Sequence, residues 1–343
     1  MSDHPPFLPR WRALAGLCLW LLCLWGSFWV EPAAAEAISR TEYAEVELVT
    51  ERAQPAAGQA FTVALAIRPK SGWHSYWENP GGAGQPVSVE WQLPAGAEAS
   101  ALRYPAPKIF KLSGIVNHVV DAPALLLSDI QLPATMRAGE AFTIAVQTEF
   151  LVCDDKLCVP QSAQLTRAMT VGDGQIDPAN AALFAQARAA LPLAPQWPAQ
   201  FTQKGTELRI ALSSVPYQDL SDAHVFTISP DRMDPDTSQR FAWVDGSLHL
   251  ALRAPDTAPQ DPLAFVLRLQ AASGGPAQSF ALVAEPGTVP PLPVTPAADS
   301  KSLRSFVIAT ALAIVGGLLL NLMPCVFPIF GAESPAFGAG RSG

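Results

Sequence analysis

The sequence predicts a mainly β protein, with two β-sandwich domains in tandem followed by one transmembrane helix. Apolar residues alternate with polar or small residues in several windows, which is the period of a half-buried strand. Clusters rich in Pro, Gly and Asn separate these windows, and only one short helical pattern interrupts them. A long uncharged apolar segment, residues 305–322, lies near the carboxyl end.

The composition excludes several functional classes. The 343 residues carry a formal net charge of −8, and 15% of them are charged. Nucleic-acid binding needs clustered Lys and Arg, so we expect no nucleic-acid partner for this acidic chain. The 49% of hydrophobic residues argues against disorder. The chain has no Gly-X-Y period, no long heptad run and no zinc-finger spacing of Cys and His, which excludes collagen, coiled-coil and zinc-finger proteins.

Residues 1–35 have the parts of a secretory signal peptide. Arg10 and Arg12 supply the positive charge, an apolar run covers 14–30, and the alanines at 33–35 offer a cleavage site. The alternative is an uncleaved anchor helix, which the alanine run disfavours. Cleavage would remove two of the five cysteines and place the other three in an oxidising compartment. An odd count there means that at least one thiol is unpaired or needs a partner elsewhere.

The first β domain is expected over residues 40–172. Its turn clusters lie at 69–72, 79–82, 94–96 and 137–139. Short strands at this spacing without intervening helices are typical of a β-sandwich. The alternating apolar residues are Phe61, Val63, Leu65 and Ile67, then Val87, Val89, Trp91 and Leu93, then Phe142, Ile144, Val146 and Phe150.

A helical connector, residues 173–199, should separate the first β domain from a second one at 200–285. The helix itself is predicted over 178–190, with Asp177 as its cap and Pro178 in its first turn. The second domain again shows period two, at Leu208, Ile210 and Leu212, at Leu248, Leu250 and Leu252, and at Phe265, Leu267 and Leu269.

The carboxyl-terminal part predicts a linker and a membrane anchor. Residues 286–304 are rich in proline and should form a stiff extended linker. Residues 305–330 exceed the roughly 20 residues that a transmembrane helix needs. A buried core helix is the alternative, but this run is apolar on all faces. With the signal peptide deciding orientation, we expect a bacterial inner-membrane protein with its bulk in the periplasm and an atypical polar tail at 331–343.

Cys153 and Cys158 are the most informative pair, in the string LVCDDKLCVP. An offset of five puts side chains on opposite faces of a straight strand, so the two sulfurs meet only if the chain turns between them. The intervening Asp-Asp-Lys-Leu sequence suits a four-residue hairpin loop. The cysteines would then face each other within the Cα separation that a disulfide needs.

Three interpretations of this pair remain open from the residues alone. A structural disulfide is the common fate of two cysteines in an exported protein. A short, turn-borne bridge stabilises less than a long-range one and is more easily reduced, which favours redox activity. A metal site would need further ligands, and His74 and His118 would have to converge on the two cysteines. No Met-rich or His-rich string supports copper binding.

A third cysteine, Cys325, lies in the predicted membrane segment within the string NLMPCVFP. Prolines at 324 and 328 would open the helix backbone around that thiol. A packed apolar cysteine is the alternative.

Taken together, LVCDDKLCVP and NLMPCVFP after an exported β region resemble the bacterial membrane thiol:disulfide interchange proteins, namely the DsbD-like disulfide reductases and their ScsB-type relatives. The string GWHSYWENPG at 72–81 and the segment YPAPKIF at 104–110 are similar to the amino-terminal domain of this family. The four residues between the cysteines are as in the ScsB-type variant and one fewer than in the better-known branch.

The resemblance implies an immunoglobulin-like amino-terminal sandwich that acts as a periplasmic thiol-disulfide exchange module. It implies Cys158 as the attacking thiol, Cys153 as the resolving thiol, and Cys325 as a transmembrane redox cysteine. It also implies an aromatic cap at Phe110, with Tyr76 and Trp77 lining the same site.

The partners that the resemblance implies are periplasmic thioredoxin-fold proteins, including isomerases and cytochrome c maturation factors, with a thioredoxin-like domain as electron donor. We expect no small-molecule cofactor and no metal. Protein-disulfide reductase activity would require the relay partners to be supplied. The family's later spans and its thioredoxin-like domain are missing, so we expect a truncated or frame-shifted product. The alternative function is a non-enzymatic envelope binding or chaperone module with a structural disulfide.

Overall fold

A computed structural model describes residues 36–256, 261–293 and 307–317 of the chain. Residues up to Leu292 belong to one unit and the helical residues 307–317 to another. Three predicted features lie outside the described residues: the signal peptide at 1–35, Cys325, and the tail at 331–343.

The first β domain is a sandwich of two antiparallel sheets, as its alternating sequence predicts. Its strands in chain order are β1 (Ile38–Arg40), β2 (Ala44–Thr50), β3 (Ala60–Pro69), β4 (His74–Gly81), β5 (Ser88–Gln92), β6 (Glu98–Ala99), β7 (Lys108–Leu112), β8 (Ile115–Val120), β9 (Ala124–Gln131), β10 (Ala141–Cys153) and β11 (Cys158–Thr170). One sheet has the order β1-β2-β3-β9-β6, and the other has the order β11-β10-β4-β8-β7 with β5 also pairing with β10. The mainly β fold class is confirmed.

The core between these sheets follows from the alternation of apolar residues along each strand, which turns every second side chain toward the opposite sheet. Leu48 and Leu65 from the first sheet, and Ile144 and Leu165 from the second, are almost fully buried in one cluster. Burying each such aliphatic side chain contributes roughly 1.5–3 kcal/mol. This packing fixes the strand register, because a slip of one residue would turn every apolar side chain outward.

The longest hairpin joins β10 to β11. Its pairing runs without a break from Ala141 opposite Thr170 to Cys153 opposite Cys158. The hairpin therefore carries the two cysteines to one end of the sandwich and places them directly across from each other.

The helix α1 (Ala181–Ala189) begins later than predicted. Asn180 is its N-cap residue, and Asp177 lies outside the helix, where its side chain accepts a hydrogen bond from the amide of Ala179. Phe184 and Ala187 are buried against the outer face of the first sheet, which keeps the connector attached to the first domain.

The second β domain contains the strands β12 (Ala199–Lys204), β13 (Glu207–Leu212), β14 (Leu220–Thr227), β15 (Arg240–Val244), β16 (Ser247–Arg253), β17 (Leu263–Ala271) and β18 (Gln278–Pro286). These strands form one hydrogen-bonded path with the order β14-β17-β18-β12-β13-β16-β15. A single apolar core contains residues from strands in both halves of this path, among them Phe201, Ile210, Val225 and Phe265. A 3-10 turn at Pro230–Arg232 follows the first strand of the path.

The two β domains share apolar and polar contacts. Phe226 and Val266 of the second domain belong to the core cluster of the first, and the rings of Phe226 and Trp77 lie 6.1 Å apart. The side-chain amide of Asn79 donates to the carbonyl of Thr227 at 2.7 Å. The second domain therefore packs against strand β4 of the first.

The carboxyl-terminal predictions are met only in part. Within the predicted linker at 286–304, Val289 and Leu292 are buried, so the first residues of this range pack against the body. Of the predicted span at 305–330, the structure describes residues 307–317, which are helical. Within the described part of the chain, no helix has both the length and the apolar character needed to cross a membrane.

Candidate functional site

A disulfide joins Cys153, the last residue of β10, to Cys158, the first residue of β11. Their Cα atoms are 4.1 Å apart, as the direct pairing across the hairpin requires. The pairing predicted from the spacing of the two cysteines is confirmed.

The loop between the cysteines is a tight turn built on Asp154. Its amide donates to the carbonyl of Leu157 at 3.0 Å. Its carboxylate accepts the amides of Lys156 at 2.8 Å and Leu157 at 2.7 Å. These two hydrogen bonds lower the pKa of Asp154, and the one from Lys156 has the larger effect. The aspartate thus stabilises the turn that brings the sulfurs together.

The two sulfurs lie in different environments. Cys153 is fully buried and packs with Tyr76 and Val119, whereas Cys158 is exposed beside Leu157, whose side chain is 52% exposed. A nucleophile from another protein can therefore reach Cys158 directly, while Cys153 is shielded.

Tyr76 contacts the buried sulfur from the neighbouring strand β4. Its Oη donates a hydrogen bond to Sγ of Cys153 at 3.0 Å and lies 3.9 Å from Sγ of Cys158. Burial raises the pKa of the Tyr76 phenol, so the hydroxyl keeps its proton near neutral pH and remains a donor. The site therefore holds a fixed donor for negative charge on Cys153.

Phe110 and His74 complete the aromatic wall around the bridge. Their ring centroids are 4.4 Å apart, and Phe110 packs against the cluster of Tyr76, Val119 and Cys153. The structure thus places both Phe110 and Tyr76 at the cluster that contains Cys153, and their roles as cap and lining residue stay predictions.

Sequence reasoning did not assign His74 to a redox site, although it precedes Tyr76 by two positions and so shares its strand face. It pairs directly with Cys153 between β4 and β10. Its Nε2 atom is buried without a hydrogen-bond partner. Burial lowers the pKa of His74, while the negative charge of Asp154 opposes that shift. His74 is thus a neutral ring within the aromatic wall at neutral pH.

Trp77 does not line the site, which corrects the expectation for this residue. It is fully buried in the sandwich core and contacts His118 and Phe226 edge to face. The reason is the pleat of β4, since adjacent residues of a strand point to opposite faces. Tyr76 faces the disulfide, so Trp77 must face the core.

The metal-site alternative finds no support among the described residues. Nε2 of His118 is buried without a partner, and its Nδ1 hydrogen-bonds with the carbonyl of Asn79. In the described ranges, no three His, Cys, Asp or Glu side chains group together as metal ligands would. His74 and His118 therefore do not converge with the cysteines on one ion.

A comparison with protein families decides what the first domain is. Residues 45–170 match the family described as thiol:disulfide interchange protein DsbD, N-terminal. These residues are a DsbD-type amino-terminal domain. The matched range ends at the last residue of β11 and includes both cysteines, Tyr76 and Phe110, so the recognition made from the motifs is confirmed.

Solved structures add evidence on the fold of the DsbD-type domain and its neighbour. The N-terminal periplasmic domain of ScsB from Proteus mirabilis is similar with a TM-score of 0.54 at 15% identity, covering 74% of this chain and 99% of that chain. At this identity the likeness establishes the fold alone. It extends beyond the family match into the second β domain, because 74% of the chain is more than the first domain contains.

Two further structures score too low to bear on any conclusion. Tandem immunoglobulin domains of titin reach a TM-score of 0.14 at 8% identity, covering 72% of this chain and 100% of that chain. A fragment of the major pilin of Streptococcus agalactiae reaches 0.22 at 10% identity, covering 70% and 90%. No curated protein matches the chain.

Proposed function

We propose that the DsbD-type domain is a periplasmic thiol-disulfide exchange module that passes electrons to oxidised thiol proteins of the envelope. The observation that carries this proposal is the asymmetry of the bridge. Cys158 is exposed at the tip of a hairpin, and its disulfide partner Cys153 is buried and hydrogen-bonded by Tyr76. Thiol-disulfide exchange needs one sulfur that a partner can reach and a second sulfur that resolves the mixed disulfide.

The first step uses the reduced form of the pair. The Cys158 thiolate attacks one sulfur of a partner's disulfide, a new S–S bond joins the two proteins, and the partner's own S–S bond breaks. The partner's second sulfur leaves as a thiolate and takes up a proton from solvent.

The second step belongs to Cys153. Its thiolate attacks the Cys158 sulfur of the mixed disulfide, which re-forms the Cys153–Cys158 bridge and releases the partner's remaining sulfur as a thiolate. Two electrons have then passed to the partner. The Tyr76 hydroxyl, 3.0 Å from Cys153, supports this step because a hydrogen bond to the charged thiolate is stronger than one to the neutral thiol.

Phe110 acts as a cap in this scheme. It is only partly buried, and it lies on the wall that His74 and Tyr76 form beside the bridge. A cap of this kind must move aside when a partner docks, and in the closed position it keeps small oxidants away from the reduced pair.

The partners proposed are periplasmic thioredoxin-fold proteins as electron acceptors and a thioredoxin-like domain as donor. Anchoring in the inner membrane through 305–330, with Cys325 as a further redox cysteine, belongs to the same proposal. The DsbD family match over residues 45–170 supports the exchange partners by analogy. The membrane part of the proposal rests on the apolar run and the NLMPCVFP string of the sequence.

Equilibration of the pair with glutathione buffers tests the proposed function. We expect the Cys153–Cys158 bridge to exchange with buffers poised at about −200 mV, whereas structural disulfides typically lie below about −300 mV. The fraction reduced is read by alkylation and mass spectrometry of the peptide that contains both cysteines. A bridge that stays oxidised until about −300 mV would instead support a binding module with a structural disulfide.

A further inference from the structure

The Tyr76 ring lies in a space that exists only because residue 84 is glycine. A Cβ atom added to Gly84 would overlap the ring, lying 2.6 Å from Cζ and closer still to Cδ1 and Cε1. Gly84 also has φ of +101°, a conformation that residues with a side chain rarely adopt. The backbone at Gly84 therefore packs directly against the Tyr76 ring and limits where the ring can lie.

Hydrogen bonds to strand β8 of the first domain fix the loop that contains Gly84. The amide of Ala83 donates to Oδ1 of Asn117 at 3.0 Å, and the amide of Gly82 donates to the carbonyl of Val116 at 2.8 Å. Both acceptors belong to β8, the strand that pairs with β4. The loop is therefore held against the same two strands that carry Tyr76 and the wall of the site.

Asn79 connects this loop to the second β domain. Its Oδ1 accepts the amide of Gly81 at 3.1 Å, and its Nδ2 donates to the carbonyl of Thr227 at 2.7 Å. Asn79 is 3% exposed, so these hydrogen bonds form away from water, where a lost partner is costly. One side chain thus joins the start of the loop to the end of strand β14.

We propose that residues 81–84 are a positioning loop for the redox site, in which Gly84 seats Tyr76 against Cys153 and Asn79 fixes the loop to the second β domain. This inference rests on the proposed exchange function and assigns to the second domain a part in it. Gly84 and Asn79 are positioning residues, since neither contacts the sulfur atoms, and Tyr76 is the group through which both act.

The physical consequence concerns the acidity of the Cys153 thiol. The Tyr76 hydroxyl stabilises the thiolate more than the neutral thiol, so it lowers the pKa of Cys153 in the reduced protein. A ring displaced by even a small distance loses this hydrogen bond, because such bonds weaken steeply with distance and angle. We expect loss of the bond to lower the acid constant of Cys153 about ten- to hundredfold, the usual contribution of a hydrogen bond to a charged group.

The test compares Tyr76→Phe, Gly84→Ala and the double variant in the full chain, each on a Cys158→Ala background. Protonation of the Cys153 thiol is followed by the pH dependence of its Cβ chemical shift in NMR spectra, which needs no reagent to reach the buried sulfur and excludes signals from other cysteines. Each single variant should shift the midpoint to higher pH by the same amount. The double variant should shift it no further, since both changes remove one and the same hydrogen bond.

Gly139→Ala is the matched control. Gly139 has φ of +83° and no atom within 4 Å of an added Cβ, so the substitution introduces backbone strain without touching Tyr76. Its midpoint should equal that of the parent. An unchanged midpoint in Gly84→Ala, or a shift that adds to that of Tyr76→Phe, would overturn the role of Gly84.

Asn79→Ala tests the connection to the second domain. We expect a shift of the Cys153 midpoint in the same direction as in Gly84→Ala, and none when Tyr76→Phe is already present. An unchanged midpoint in a folded Asn79→Ala protein would remove the second domain from the proposal. Each of these results is a difference between variants, so it is separate from the glutathione equilibrium of the parent, which alone decides the exchange function.

Discussion

The hydroxyl of Tyr76 lies 3.0 Å from Sγ of Cys153 and 3.9 Å from Sγ of Cys158, so it distinguishes the two sulfurs of one bridge. The nearer sulfur is buried and the farther one is exposed. Hydrogen bonding and burial thus make the two cysteines differ in accessibility and in the stability of their thiolates. One sulfur is open to another protein, and the other is held where its negative charge is stabilised.

The first prediction concerns the order of attack. Cys153→Ala should accumulate mixed disulfides with envelope proteins, because Cys158 can still attack but no second thiol can resolve the product. Cys158→Ala should accumulate none, because the remaining Cys153 is fully buried. Non-reducing electrophoresis of cells that express each variant measures the mixed disulfides. Equal trapping by the two variants would contradict the assigned roles.

The second prediction concerns the cap. Phe110→Ala should increase the rate at which small oxidants react with the reduced pair severalfold, because the ring covers the cluster that holds Cys153. The rate can be followed by stopped-flow alkylation or oxidation with a small disulfide. Ile109→Ala is the matched control, since Ile109 is 39% exposed on the same strand and its side chain points to the other face. Equal rates for parent, variant and control would remove the cap.

Much of this fold could be predicted from the sequence because burial imposes period two on a sandwich strand. The windows around Leu65, Val146, Ile210 and Leu267 all lie in strands of the structure. The cysteine pairing was equally predictable, because a four-residue turn is the only local way to bring the two side chains together.

The sequence predictions that failed did so because of contacts between segments that are distant along the chain. Asn79 and Pro80 suggested a turn, yet they lie in β4, where the pairing with β8 is irregular between Tyr76 and Gly81. The side chain of Asn79 has a partner in the second domain, which no local pattern reveals. The proximity of Gly84 to the Tyr76 ring is likewise visible only once the loop is folded.

The third prediction concerns pH and the contact between the two β domains. His224 lies beside Phe226, with ring centroids 4.6 Å apart, and its pKa is lowered to about 4. Burial is the main cause, the charges of Arg268 and His118 add to it, and Asp222 opposes it. In the unfolded chain the imidazole titrates near its ordinary pKa of about 6.5.

The folded state resists protonation of His224, so the neutral imidazole contributes to the free energy of unfolding. This contribution is fully present above about pH 6.5 and is lost as the pH falls toward 4. The shift corresponds to roughly 2–3 kcal/mol of unfolding free energy across that window. Urea denaturation at pH 7 and at about pH 4.5 measures the change. His224→Gln, which stays neutral, should lose much less stability on acidification than the parent.

The comparison must be made between parent and variant, because other groups titrate in the same window with the opposite sign. Burial raises the pKa of Glu78 to about 7, so this carboxyl weakens the folded state as the pH rises from about 4.5 to 7. That contribution is common to both proteins and cancels in the difference. If His224→Gln and the parent lose the same stability on acidification, the imidazole at the domain contact does not control the pH dependence.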